Sequence, residues 1–291
     1  MNAGLEDPGY PEESAGKLQM IWGEGFLSPG GPAEVARILG KNSVAGLSIL
    51  DIGSGAGGAD VVLARDHAAS KVVGIDVAPG LVELAAAKAR ELHLDDRIEY
   101  QLVQPGALPF PDASFDAVFS KDAIIHVADK EALFAEIFRV LRPGGHVLIG
   151  DWLKSDAASH ESLIQEFIAA SGHNFTMVSL SYTGKLVSSL GFSEVELDDR
   201  QAWYAAVASE ELARLRGPLG IEMVERWGDE AAQSEIEFWE VLVKALAGGA
   251  LRPGHIRAAI RPMGALDLQD KERGEKRCSS RQVLRPSWQP L

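Results

Sequence analysis

The chain has 291 residues, of which 46% are hydrophobic and 7% aromatic, enough apolar material for one large α/β domain with an addition. Its 42 acidic residues outnumber its 28 basic residues, which gives a formal net charge of −14. An acidic surface repels phosphate backbones and anionic lipid head groups, so we expect neither nucleic acid nor membrane partners.

Two further features narrow the class of protein. The sequence contains no run of about 18 apolar residues, and its first residues hold neither a basic nor an apolar leader segment. We therefore expect a cytoplasmic protein. The single cysteine, Cys278, excludes an internal disulfide and a thiolate metal cluster, and no metal is expected.

Apolar periodicity along the first half of the chain predicts alternating strands and helices. Two N-terminal helices are predicted, one over 13–22 and one starting at Pro32, with a glycine-rich loop between them. The predicted strands are 47–52, 71–76, 98–103, 115–120 and 146–151, and the helices between them are 61–67, 81–92 and 130–141. This alternation is typical of βαβ units, so we predict a parallel sheet with helices on both faces.

The pattern is weaker after residue 151. It predicts helices over 160–170 and 182–190, a long helical stretch over 201–246 broken at 217–218, and strands over 192–197 and 254–261. From residue 263 the sequence becomes rich in charge, Ser, Pro and Gln, which predicts a disordered tail over 263–291.

The strongest motif is the glycine loop, residues 53–58 (Gly-Ser-Gly-Ala-Gly-Gly), which follows the first predicted strand and precedes a helix. Glycines at such a turn let the backbone approach a ligand closely. Asp76, at the end of the second predicted strand, is placed to hydrogen-bond a ribose diol. Both features occur in nicotinamide-dependent enzymes and in S-adenosylmethionine-dependent enzymes, so the loop alone leaves both classes open.

Asp51 and two later motifs separate these classes. A carboxylate two residues before Gly53 would repel a pyrophosphate and attract the cationic amino-acid end of S-adenosylmethionine. With the segments Pro-Phe-Pro-Asp-Ala-Ser-Phe-Asp (109–116) and Leu-Arg-Pro-Gly-Gly (141–145), the loop resembles the core of class I methyltransferases. The resemblance implies a Rossmann-like α/β fold, with a mostly parallel seven-stranded sheet and helices on both faces, and S-adenosylmethionine as cofactor.

Two segments resemble one methyltransferase family more narrowly. The lid loop, residues 23–31 (Gly-Glu-Gly-Phe-Leu-Ser-Pro-Gly-Gly), and the segment Lys-Asp-Ala-Ile-Ile-His (121–126) are similar to phosphoethanolamine N-methyltransferases and their bacterial relatives. The resemblance implies that Ser28 contacts the cofactor and that Tyr10 and His126 form a catalytic pair, with Asp122 beside them. The implied cofactor-binding residues are Ser28, Asp51, Gly53, Ser54, Gly55, Asp76, Val77, Gln104 and Lys121. Gln104 stands where that family usually has an acid facing the adenine amino group, so its amide oxygen would accept instead.

The resemblance also implies a domain organisation. It predicts an N-terminal helical lid over 1–40 and a methyltransferase domain over 41–262, followed by the tail. The cofactor half of that domain is 41–151, and the acceptor half is 152–262.

The second half of the chain departs from the family. Its members hold the substrate phosphate with a Tyr, a Tyr, an Arg and a Tyr, and the matching residues here are Trp152, Phe167, Ser171 and His173. Without the guanidinium, a phosphate dianion loses its bidentate partner. We therefore expect N-methylation of an unphosphorylated amine, with Trp152 and His173 lining the acceptor site.

Several alternatives remain open at this point. The acceptor atom could be the sulfur of a thioether or thiol, or a hydroxyl oxygen. A nicotinamide-dependent oxidoreductase and a cofactor-binding regulatory protein are the rival classes. His126 and Asp122 could be helix-capping residues, and Trp152, Trp203 and Tyr204 could be core aromatics instead of a surface for a methylated cation.

Overall fold

Seven strands form a single sheet in the computed structural model, which describes residues 12–262. The strands are β1 (Ser48–Ile52), β2 (Lys71–Asp76), β3 (Ile98–Leu102), β4 (Phe115–Lys121), β5 (Leu141–Asp151), β6 (Ser193–Asp199) and β7 (Gly254–Ala259). Their order is β3-β2-β1-β4-β5-β7-β6; the first five pair in parallel, and β7 runs antiparallel to both its neighbours. The predicted seven-stranded, mostly parallel sheet is confirmed.

Ten α-helices accompany the sheet within the described residues. They are α1 (Glu12–Trp22), α2 (Gly31–Leu39), α3 (Gly58–Arg65), α4 (Pro79–Glu91), α5 (Lys130–Val140), α6 (Glu161–Ser171), α7 (Leu180–Ser189), α8 (Gln201–Leu215), α9 (Pro218–Trp227) and α10 (Asp229–Ala247). Two 3₁₀ turns occur at Ile124–His126 and Ala158–His160. The predicted tail, 263–291, lies outside the described residues.

Two elements differ from the sequence prediction. The long helical stretch breaks at Gly217 as predicted, and it breaks again at Gly228, whose φ of 88° ends α9 just before α10 begins. Strand β5 begins at Leu141 instead of residue 146, because Leu141 already pairs with Phe115 across an irregularity in the β4–β5 register.

The sheet topology determines where a ligand can bind. Chain order reverses at β1, which lies between β2 and β4, so the connections on its two sides diverge. In open α/β sheets this reversal opens a crevice at the carboxyl ends of the strands. The glycine loop follows β1 and residues 122–126 follow β4, so both motifs lie at that crevice.

Three apolar clusters hold these elements in place. One lies between the sheet and α5, one between the sheet and α2 with α3, and the third is formed by α1, α6, α8, α9 and α10 around the fully buried Trp239. Since α1 packs in the helical cluster, the start of the lid loop is fixed against helices from the second half of the chain.

Candidate active site

The glycine loop requires glycine at its first position. Gly53 has a φ of 76°, and a Cβ there would lie 2.2 Å from the Cβ of Ala123. Gly55 has a φ of 53°, and its Cβ would come within 3.2 Å of Leu27 in the lid loop. The loop therefore touches both the segment after β4 and the lid loop, which brings three chain segments to one place.

A half-open cavity of about 50 Å³ lies where these segments meet. Six of the nine predicted cofactor residues line it: Ser28, Asp51, Gly53, Ser54, Gly55 and Lys121. The remaining lining comes from Gly25, Phe26, Leu27, Ala56 and Ala59.

One buried acid lines this cavity and a second lies next to it. Asp51, on β1, is 1% exposed and Asp60, on α3, is fully buried. Oδ1 of Asp51, Oγ of Ser54 and both carboxyl oxygens of Asp60 are buried without a hydrogen-bond partner. Burial, together with the nearby charge of Asp60, raises the pKa of Asp51 well above its usual range, and burial raises the pKa of Asp60 to about 7. Such a pair of acids favours a cationic ligand.

Sequence reasoning missed Asp60. The available signal was an acid in the first turn of α3, two residues after the glycine loop. An acid in the first turn of a helix is ordinarily explained by its favourable interaction with the helix dipole.

Lys121 joins the lid loop to the end of β4. Its side chain is 5% exposed, and its Nζ donates to Ser28 Oγ and, at 2.7 Å, to Asp122 Oδ2. Asp122 has a φ of 58°, a left-handed conformation that is strained for a non-glycine residue, and its N–H donates to the Gly150 carbonyl at 2.7 Å. Asp122 Oδ1 is buried without a hydrogen-bond partner.

The lid loop is also anchored at its far end. A Cβ at Gly30 would lie 2.6 Å from the Cβ of Glu34, which is fully buried and 2.7 Å from His255 Nε2. Burial opposes ionisation of Glu34, but hydrogen bonds with His255 and Arg200 outweigh it and lower the pKa of Glu34. The loop therefore rests on a buried ionic cluster.

The other three predicted cofactor residues lie at the carboxyl ends of β2 and β3. Asp76 Oδ2 accepts from the Gly55 N–H and its Oδ1 from the Ala78 N–H, both at 2.9 Å, so this carboxylate supports the glycine loop directly. Val77 is 55% exposed, and Gln104 is exposed in the segment after β3.

His126 stands at one end of a row of aromatic rings. Its ring centroid is 5.0 Å from that of Phe175 and 5.6 Å from that of His173, both in edge-to-face contact. Phe175 stacks on Phe167, and Phe167 stacks on Trp152 with centroids 6.2 Å apart. The structure thus connects three predicted residues, His126, His173 and Trp152, through two phenylalanines.

Asp122 and His126 do not lie on one face of a helix. A spacing of four would place both on one face of a helix. The 3₁₀ turn begins only at Ile124, and Asp122 precedes it with a positive φ, so the two residues do not share a helical face. Tyr10, the predicted partner of His126, lies outside the described residues.

The aromatic residues of α8 are occupied within the protein. Tyr204 is 2% exposed and makes an edge contact with Trp152 at 5.1 Å. The ring of Trp203 lies under the Arg200 guanidinium, 4.9 Å from its centroid. Tyr204 is thus a core residue, and the half-buried Trp203 already has a cation on its π face.

The described residues contain neither a metal site nor a membrane-spanning helix. Among residues 12–262, no group of three or more His, Cys, Asp or Glu side chains is placed to hold a metal ion. No helix in this part of the chain combines the length and hydropathy needed to cross a membrane.

Comparisons with known proteins agree with this geometry. Residues 50–149 match the family described as "Methyltransferase domain". Phosphoethanolamine N-methyltransferase 1 of Arabidopsis thaliana is 32% identical over 212 residues, which are 72% of this chain and 42% of that enzyme. The chain thus spans less than half the length of this relative.

Solved structures give the same result. Phosphoethanolamine N-methyltransferase 2 of Haemonchus contortus, solved with S-adenosyl-L-methionine, aligns with a TM-score of 0.78 and 25% identity over 87% of this chain and 58% of its own. A putative sarcosine dimethylglycine methyltransferase of Galdieria sulphuraria shares the fold, with a TM-score of 0.70 and 23% identity over 79% and 85% of the two chains. Residues 50–149 are therefore a methyltransferase domain, and the chain, a homologue of the phosphoethanolamine N-methyltransferases, has the Rossmann-like fold of class I S-adenosylmethionine-dependent methyltransferases.

Proposed function

We propose that this chain transfers a methyl group from S-adenosylmethionine to the nitrogen of a small, unphosphorylated amine. One observation carries the proposal: the lid loop, the glycine loop and the end of β4 converge on one cavity, and the same β4 segment continues to His126. The phosphoethanolamine N-methyltransferases among the relatives and solved neighbours are by name N-methyltransferases, which supports nitrogen as the acceptor atom.

The charge of the cavity suits the amino-acid end of the cofactor. The unpartnered Oδ1 of Asp51 and the buried acid behind it would receive the α-ammonium group, and the glycines leave room that a Cβ would fill. Asp76 and the exposed Val77 would face the ribose and adenine from the outer rim. When bound, the cofactor supplies an electrophilic methyl group on a cationic sulfur.

His126 would prepare the acceptor. An alkylammonium with a pKa near about 10 holds little free base at neutral pH, so a positioned base is needed to remove its proton. Such a base typically contributes about 10²–10⁴-fold to the rate. Holding the nitrogen in line with the methyl group at about 3–3.5 Å would supply a further 7–11 kcal/mol or so.

Two of the four matching positions, Phe167 and Ser171, support an acceptor without a phosphate. Phe167 is 4% exposed and packed between rings, and the Ser171 hydroxyl donates to the Ile168 carbonyl at 2.8 Å. Neither residue offers a cation to a dianion. A row of aromatic rings leading from His126 suits the apolar part of an amine instead.

A labelled-methyl screen tests the proposal. The full chain is incubated with S-adenosylmethionine labelled in the methyl group and with phenethylamine, ethanolamine, sarcosine or phosphoethanolamine, alongside a thioether and a phenol. We expect label in at least one unphosphorylated amine. Label only in the thioether or the phenol would move the reaction to sulfur or oxygen, and binding of NAD in place of S-adenosylmethionine would end the assignment.

A further inference from the structure

The turn that carries His126 is held by a buried lysine. Lys130 is the first residue of α5, yet it is only 4% exposed because its side chain points back along the chain. Its Nζ donates to the carbonyls of Ile124 at 2.5 Å and Val127 at 2.6 Å. These two carbonyls lie on either side of His126.

A buried aspartate holds the same turn from the sheet. Asp151, the last residue of β5, is 3% exposed, and its Oδ1 accepts from the Ile125 N–H at 3.2 Å. The Ile125 carbonyl in turn accepts from the Thr176 N–H at 2.9 Å. Groups outside the turn therefore form hydrogen bonds with backbone N–H and carbonyl groups on both sides of His126.

Helix formation does not require either charge. Asp129 already caps α5, accepting from the Ala132 N–H at 2.9 Å, and a methionine could fill the space of the Lys130 stem. Burial of an ammonium and a carboxylate is unfavourable unless specific contacts compensate it. Burial lowers the pKa of Lys130 although the charge of Asp151 opposes this, and burial raises the pKa of Asp151 although the charge of Lys130 opposes it. Both hydrogen bonds of the Lys130 ammonium act on residues 124–127, whereas the Asp151 carboxyl accepts from the N–H of Ile125 and also from that of Trp152.

We propose that Lys130 and Asp151 form a brace that positions His126, so that methyl transfer depends on two residues that touch neither cofactor nor acceptor. The inference rests on the proposed function, because it assigns His126 the role of base. Its structural part, the immobilisation of residues 124–127, stands independently of any acceptor.

The test uses the double variant K130M/D151N in the full chain. The double variant removes both charges, so no unpaired buried ion remains, and the amide oxygen that D151N introduces can still accept from the Ile125 N–H. The single variant K130M is measured beside it, and K71M, at a lysine of β2 whose side chain is 37% exposed, is the matched control.

Four readouts are compared with wild type. Amide exchange at residues 124–127 should become about tenfold faster or more, and the NMR titration midpoint of the His126 ring should shift, while affinity for S-adenosylhomocysteine stays within about twofold. Turnover of the best amine from the screen should fall by about tenfold or more with little change in KM, since misplaced geometry acts on the reacting complex. K71M should match wild type in all four.

Each outcome decides the inference. Faster exchange with lower turnover supports the brace, and unchanged exchange or unchanged turnover overturns it. A wild-type chain that methylates no amine, yet shows the exchange difference, would remove the proposed function and leave the immobilisation of the turn established.

Discussion

Two carboxyl groups determine the electrostatics of the candidate cofactor cavity at the scale of single residues. Asp51 and Asp60 are both buried, with Asp76 and Lys121 as the other charged groups near Asp51 and with the phenol of Tyr100 beside Asp60. Lys121 is already paired with Asp122. A pair of acids with so little compensation takes up a proton readily, and a bound ammonium would favour its release.

The affinity for S-adenosylhomocysteine should therefore rise with pH. The pKa of Asp60 is about 7, so the acid pair is protonated in part below that value and becomes more anionic between pH 6 and 7.5. We expect the dissociation constant to fall severalfold over that range, up to about tenfold per unit, before the ligand's own amino group titrates. Isothermal titration calorimetry at each pH measures this dissociation constant. In D60N the dependence should flatten, and a flat profile for wild type would contradict the assignment.

His126 should matter for catalysis and not for cofactor binding. Its ring lies against Phe175 and His173, and it is not among the residues that line the candidate cofactor cavity. We expect H126A to lower kcat by about 10²–10⁴-fold while the dissociation constant of S-adenosylhomocysteine changes less than about twofold. H67A, just beyond the far end of α3, is the control and should keep full turnover. Wild-type turnover in H126A would remove the residue from the mechanism.

At the scale of elements, one buried glutamate joins three helices. Glu211 of α8 is 5% exposed and accepts from Trp22 Nε1 of α1 at 2.6 Å and from Trp239 Nε1 of α10 at 3.1 Å. Burial raises the pKa of Glu211 to about 7 despite these donors. Because the lid loop starts directly after Trp22, Glu211 sets where that loop leaves the helical cluster.

The stability of this contact should depend on pH in a defined direction. A carboxyl whose pKa is raised by folding binds its proton more tightly in the folded state, so its contribution is present below the unfolded value and is lost as pH rises through about 7. The free energy of unfolding of E211Q, relative to wild type, should therefore increase by about 1–3 kcal/mol between pH 5 and pH 8. Urea unfolding at both pH values measures the difference. A relative stability independent of pH would show that Glu211 is not desolvated.

The elements that sequence predicted best are those defined by local patterns. The apolar runs of β1, β2 and β4 and the glycines after β1 are properties of neighbouring residues, so periodicity and turn chemistry identify them. The insertion of β7 between β5 and β6 is a pairing between distant segments, which periodicity does not encode. The second helix break was missed because a single glycine inside a helical pattern is usually tolerated.

For the whole molecule, the same distinction applies to the candidate site. Motif positions such as Gly53 and Lys121 were predictable, and six such residues line one cavity. Asp60 and Lys130 were not predictable. Each interacts with a buried charged neighbour that only the tertiary structure brings close to it. The sequence likewise contained no indication that two phenylalanines lie in a row between His126 and Trp152, because only the tertiary structure brings these rings together.

The central claim is that the acceptor is an amine without a phosphate, and a comparison of kcat/KM values tests it most directly. The best unphosphorylated amine from the screen and phosphoethanolamine are measured with the same enzyme and the same labelled donor. Since Phe167 and Ser171 offer no cation to a dianion, we predict a kcat/KM for phosphoethanolamine lower by about 100-fold or more, equivalent to about 2.7 kcal/mol of transition-state stabilisation. A kcat/KM for phosphoethanolamine equal to or above that of every unphosphorylated amine would contradict the account.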